Sequence, residues 1–133
     1  MARARRHDPD RRDRIVDAAL RVAARSGIDT AAALARLMGE WISGERAQVE
    51  LEYELYLAAL RRPALRPVAA EWAETVVDAL SRRTDPVTAR ALVALVDGIC
   101  LQSLLTGVPY DEEYARVMLA RVLDPGGGAP TDT

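Results

Sequence analysis

The stretch ARLMGEWISGERAQVELEYELYLAALRRP, residues 35–63, decides what kind of helical protein this is. Two readings compete for it. In the first, its opening half is a DNA-reading helix-turn-helix. Such a unit needs a small residue where two helices cross, a turn glycine four positions later, and hydrophobic residues that seat the second helix on the first. Ala35 and Gly39 stand at that spacing. The seating positions beyond the turn, however, are Glu40, Glu45 and Gln48, and the segment continues through Glu50, Glu52 and Glu54. Carboxylates held against phosphates oppose binding, because affinity for a nucleic-acid backbone comes from cations that release counterions. The stretch therefore reads as two consecutive bundle helices.

Working outward, apolar residues recur at helical spacing along most of the chain. Leu34, Leu37, Met38, Trp41 and Ile42 share one face of a helix from near Thr30 to Ser43 or Gly44. Val49, Tyr53, Tyr56, Leu57 and Leu60 line a second, from about Glu45 to Arg62, and Pro63 ends it. A third runs from roughly Leu65 to Arg83 with Val68, Trp72, Val76 and Leu80 in line. Asp85 and Pro86 then give a start signal for VTARALVALVDGICLQSLLTG, residues 87–107, closed by Gly107 with Pro109 behind it. The last helix, DEEYARVMLARVL at 111–123, has Asp111 as its cap and acidic residues in its first turn, which suits the helix dipole. Upstream, HDPDRRDRIVDAALRVAARSGI at 7–28 predicts a further helix from Asp8 and Pro9 to Gly27. The tail, 124–133, has nothing to bury and is expected to be disordered.

Composition agrees with an all-α fold. The 133 residues are 50% hydrophobic, enough for one core and not two. All 18 basic residues are arginine and phenylalanine is absent, so Ala, Leu and Arg, strong helix formers, dominate. Charges interrupt every apolar run before the roughly 18 residues of a membrane span, and no signal-peptide core follows the start. A cytoplasmic chain with no membrane partner is expected.

The helix at 87–107 is apolar nearly all the way round, which places it at the centre of its own core or against a second subunit. Gly98 within it costs helix stability, a cost easier to understand where another backbone or a ligand approaches. Cys100, the single cysteine, reads as a small buried hydrophobe.

Catalysis finds no support. His7 is the single histidine and lies in the opening segment, so no nucleophile and base can be paired in a core, and no residues have metal-ligand spacing. Glu112 and Glu113 suit capping, and the glycines at 126–128 precede no helix. The chain reads as a non-enzyme with no cofactor and no metal. Its net charge of −2 gives it no electrostatic case for binding DNA by itself. The first 14 residues do hold six arginines, and Arg11 and Arg12 are the candidate DNA contacts of a basic arm; the competing reading is a solvated start.

RRDRIVDAALRVAARSGID, residues 11–29, resembles the first helix of the TetR/AcrR family of bacterial transcriptional regulators, through Arg12, Ile15, Ala18, Ala19, Gly27 and Ile28. ELYLAALRRPALRPVAAEW and ARALVALVDGICLQSLLTG are similar to effector-binding and dimerisation helices of many members. The resemblance implies a DNA-binding remnant over 1–29, an effector-binding and dimerisation domain over 30–123, and a tail over 124–133. Between Ile28 and about Ala32 the family's second, third and fourth helices have no counterpart. Either the chain is a true deletion or a reading head belongs to a longer protein.

With the resemblance, Met38, Trp41, Tyr53, Tyr56, Trp72 and Gln102 become candidate ligand-binding residues for a small apolar or aromatic effector, since pockets between bundle helices are aromatic-lined with a few polar anchors. Each of them also reads as plain core. Glu52 or Glu54 could meet a cationic ligand, although carboxylates on such a helix ordinarily face water. For a homodimer, Leu92, Val96, Gly98, Ile99, Tyr114, Met118 and Val122 are the candidate interface, the two last helices forming a four-helix bundle with their symmetry mates. The expected function is that of a ligand-responsive transcriptional regulator, a repressor, with DNA a partner only if a helix-turn-helix is present in the full chain. The alternatives are a stand-alone ligand-binding dimerisation module, acting without DNA or through mixed dimers, and a bare structural remnant.

Overall fold

A computed structural model describes residue 21, residues 29–44 and residues 46–124. The expected first helix, the arginines Arg11 and Arg12, and the tail from residue 125 lie outside the described residues. Among the described residues every regular element is helical: α1 (Thr30–Gly44), α2 (Arg46–Arg61), a 3-10 turn (Pro63–Leu65), α3 (Arg66–Ser81), α4 (Pro86–Thr106) and α5 (Glu112–Leu123).

Side-chain caps set the boundaries. Asp29 Oδ1 accepts from the Ala31 N–H at 2.9 Å and so satisfies a donor that α1 would leave orphaned. Asp85 accepts from both the N–H and the hydroxyl of Thr88, at 2.9 and 2.6 Å, with Pro86 in the first turn of α4. Asp111 accepts from the Tyr114 N–H at 2.9 Å to start α5. Gly107 ends α4 in the left-handed region, φ 68°, which its lack of a Cβ permits. Past Pro63 the chain folds back, and Arg66 donates to the carbonyls of Ala59 and Leu60 at 3.3 and 3.4 Å, groups that the end of α2 leaves without helical partners. The third predicted helix is shorter than its periodicity suggested, 66–81 against 65–83, because Leu65 belongs to the 3-10 turn and the carbonyl of Leu80 accepts from Arg83 and Thr84 in a turn.

The most extensive packing joins α1 to α5, where Ala31, Ala35 and Ala115 are fully buried and let the two helices approach closely. Next come α3 against α4 and α4 against α5, while α2 lies on α3 and α1. Leu92, Leu119, Val49 and Cys100 are the largest fully buried side chains of the core they share with Leu34, Met38, Tyr53, Val76 and Leu80. Cys100 is core, as its context suggested.

Two expectations about faces do not hold. Leu57 and Leu60 are exposed, and Ala59 is the buried residue of that part of α2, because the 3-10 turn and Arg66 return over the Ala59 side. Val68, expected in line with Val76 and Leu80, is exposed as well. By length and composition α4 could cross a membrane. Here Ala89, Leu92 and Cys100 anchor it in the core, while Val93, Leu95, Val96, Ile99, Leu101 and Leu104 are only partly covered.

Candidate functional site

The face that α2 turns inward carries Val49, Glu52, Tyr53 and Tyr56, a spacing of three, one and three that forms one helical stripe. Glu52 is only 6% exposed, whereas its neighbour Leu51 is 51% exposed. Hydrophobicity alone would favour the reverse, since burying a carboxylate costs far more than burying leucine gains. Among the described residues no buried side-chain nitrogen or oxygen lacks a hydrogen-bond partner, so the polar interior is a satisfied one.

From this stripe the Tyr53 hydroxyl donates to Asp97 Oδ1 of α4 at 3.2 Å, a bond between segments 44 residues apart. The rings of Tyr53 and Tyr56 lie 6.2 Å apart, tilted at 57°. Met38 of α1 is buried in the same cluster, with Trp41 and Ile42 packed against it. Tyr53 with its partner Asp97, Tyr56, Met38 and Trp41 thus meet around one cluster of α1, α2 and α4, and Glu52 is buried on the same stripe of α2. Aromatic faces and carboxylates in a partly dry place attract organic cations, through the ring quadrupole and through charge weakly screened by water.

Of the candidate ligand residues, Met38, Trp41, Tyr53 and Tyr56 are therefore brought together. Trp72 is half-buried on α3 outside that cluster, and Gln102 is exposed. A cavity of about 330 Å³ opens elsewhere, where the start of α1 and the ends of α3 and α5 meet, lined by Thr30, Leu34, Leu80, Arg83, Thr84, Leu92 and Leu123. None of the expected ligand residues lines it.

Of the candidate interface residues, Leu92 is 1% exposed and belongs to the chain's own core, because it sits on the side of α4 that its own neighbours cover. Val96, Gly98, Ile99, Met118 and Val122 are partly exposed and Tyr114 is exposed. A Cβ built on Gly98 would meet nothing within 4 Å, so its own chain does not require a glycine there.

Sequence reasoning missed two residues and left a third open. Glu52 was weighed beside Glu54 as a contact for a cationic ligand, against the ordinary case of a carboxylate that faces water, and it is the buried one of the two. Asp97 was half-legible, as one of two charges in an otherwise apolar helix. Tyr110 gave no signal, because it lies in the short linker between α4 and α5. Its ring covers Gly39, its hydroxyl donates to the Ala35 carbonyl, and burial pushes its phenol above the usual range, so it stays a donor. Gly39, expected to be a turn residue only in a reading head, is in mid-helix.

Comparison with known proteins follows these contours. The family model described as tetracyclin repressor-like, C-terminal domain, matches residues 25–125. The chain is similar to the multidrug binding protein EbrR complexed with proflavin, at 57% identity over 86% of this chain and 69% of that one, with a TM-score of 0.72. It is similar also to a member of the TetR family from Streptomyces coelicolor A3, at 61% identity over 86% and 66% of the two chains, TM-score 0.73. EbrR complexed with ethidium matches at 60% identity over 83% and 67%, TM-score 0.66. The chain thus spans about two thirds of the length of these proteins. No functionally curated protein matches it.

Proposed function

The chain belongs to the TetR family of regulators, and from that premise we propose that it is a ligand-responsive transcriptional regulator whose bundle takes an aromatic organic cation between α1, α2 and α4. The observation that carries this reading is the buried Glu52 on the aromatic stripe of α2, the stripe whose Tyr53 bonds Asp97 of α4. The compounds bound by the EbrR neighbour support it: proflavin and ethidium are flat aromatic cations. In this reading Glu52 and Asp97 supply the negative charge, Tyr53 orients Asp97, and Trp41 and Tyr56 offer ring faces.

The regulator works as a cytoplasmic homodimer joined through the outer faces of α4 and α5, with Val96, Gly98, Ile99, Tyr114, Met118 and Val122 at the interface. Ligand entry displaces α1 and so opposes operator binding by whatever reading head the full protein carries, with a coupling that must be reciprocal. Repression relieved by ligand is the expected sense.

Ethidium fluorescence titration of the purified chain tests the site. Ethidium should bind the wild type, and Glu52→Gln should weaken binding at least tenfold, about 1.4 kcal/mol. Glu54→Gln, altering an exposed carboxylate on the same helix, should leave it unchanged. Equal affinities for wild type and Glu52→Gln would overturn the cation reading.

A further inference from the structure

Helix α1 carries three features between residues 35 and 43 that set one place in it apart. Gly39 lies in mid-helix, where it leaves the backbone more freedom than any other residue would. The Ala35 carbonyl, which the Gly39 N–H should hold alone, also accepts from the Tyr110 hydroxyl. One turn on, the Gly39 carbonyl accepts from the hydroxyl of Ser43 as well as standing opposite its N–H. Serine hydroxyls bonded back by one turn, and glycine–serine pairs, are where helices bend.

The two halves on either side of this place are held differently. The N-terminal half packs through Ala31 and Ala35 on α5, and the C-terminal half carries Trp41 and Ile42 against the core. Tyr110 grips the joint itself, with its ring in the notch that the missing side chain of residue 39 leaves.

Resting on the function proposed above, we infer that Gly39 is the hinge of α1 and that Tyr110 is the positioning residue that holds it in the arrangement described, so that a ligand entering beside Trp41 works against the Tyr110–Ala35 bond. A ligand that binds only the bent arrangement is weakened by the fraction of molecules not in it. Loosening the grip must then raise affinity, which is the opposite of what losing a merely structural residue does.

Tyr110→Phe keeps the ring and removes the hydroxyl. Two readouts on the full chain test the hinge. Amide hydrogen exchange of residues 39–43 in the ligand-free protein should quicken about three- to tenfold in Tyr110→Phe, while exchange along α3 stays as in the wild type. Ethidium should bind that variant more tightly by a similar factor. Tighter binding with quicker exchange supports the hinge. Unchanged exchange at 39–43, or affinity that stays level or falls, overturns it. Should ethidium fail to bind the wild type, the ligand reading falls, and exchange at 39–43 that Tyr110→Phe leaves unchanged would still overturn the hinge.

Discussion

Tyr110 lies over Gly39: its Cε1 stands 2.9 Å from the point a β-carbon at residue 39 would occupy, while its hydroxyl donates to the carbonyl of Ala35. Helix propensity alone would favour alanine at 39 by about 1 kcal/mol. The tyrosine reverses that sign, because a methyl group there must push an aromatic ring off its seat and stretch its hydrogen bond. Gly39→Ala is expected to destabilise the chain by about 1 kcal/mol. In a Tyr110→Ala background the same change should stabilise it by about the same amount. Chemical denaturation of the four proteins of the cycle checks this, and additive effects would show that the two residues do not interact.

Gly98 provides the contrasting case, since a Cβ there would meet nothing of its own chain. Gly98→Ala should stabilise the isolated protomer by about 1 kcal/mol. If α4 is the dimer helix, the same methyl group should weaken self-association severalfold. Analytical ultracentrifugation across a concentration series, beside thermal melts, separates the two effects.

Leu119 is fully buried where α5 meets α1, at the packing that joins the start of the fold to its end. Leu119→Ala should cost about 2–5 kcal/mol, the transfer term plus an unfilled cavity. Urea unfolding gives the figure, and a loss under about 1 kcal/mol would mean that α1 and α5 relax together to close the space.

Asp85 caps α4, and its hydrogen bonds from the Thr88 hydroxyl and N–H hold its carboxyl below the ordinary 3.8. A carboxyl depressed in the folded state adds stability above its unfolded pKa and loses it as the pH falls through the folded value. Asparagine also caps well but does not titrate. The melting-temperature advantage of wild type over Asp85→Asn should therefore be level near neutrality and shrink below about pH 4. Asp85 is exposed, so added salt should reduce that advantage at neutral pH as well.

Much of the fold was legible because it rests on local chemistry. Asp85, Gly107 and Asp111 cap helices as read, since a cap is decided within four residues of itself. Two of the mistakes concern faces. Leu57 and Leu60 fit the stripe of α2 yet stay outside, and Glu52 fits it equally and goes in. Periodicity says which residues share a side of a helix; it does not say how far along the helix that side is covered. Of the expected aromatic residues, Trp41, Tyr53 and Tyr56 share one cluster and Trp72 lies outside it, and Asp97 went unforeseen because the Tyr53–Asp97 bond depends on which turn of α4 lies opposite α2.

By itself the sequence determined the five described α-helices, the ends that caps and breakers mark, their order and the family, all consequences of spacing and of residues that cap or break the backbone nearby. Only the tertiary structure decided that a carboxylate sits inside, that Leu92 serves the chain's own core, and that a linker tyrosine fills the notch at Gly39. These depend on contacts between residues distant along the chain, whose partners are chosen by the packing of whole helices and leave no local mark.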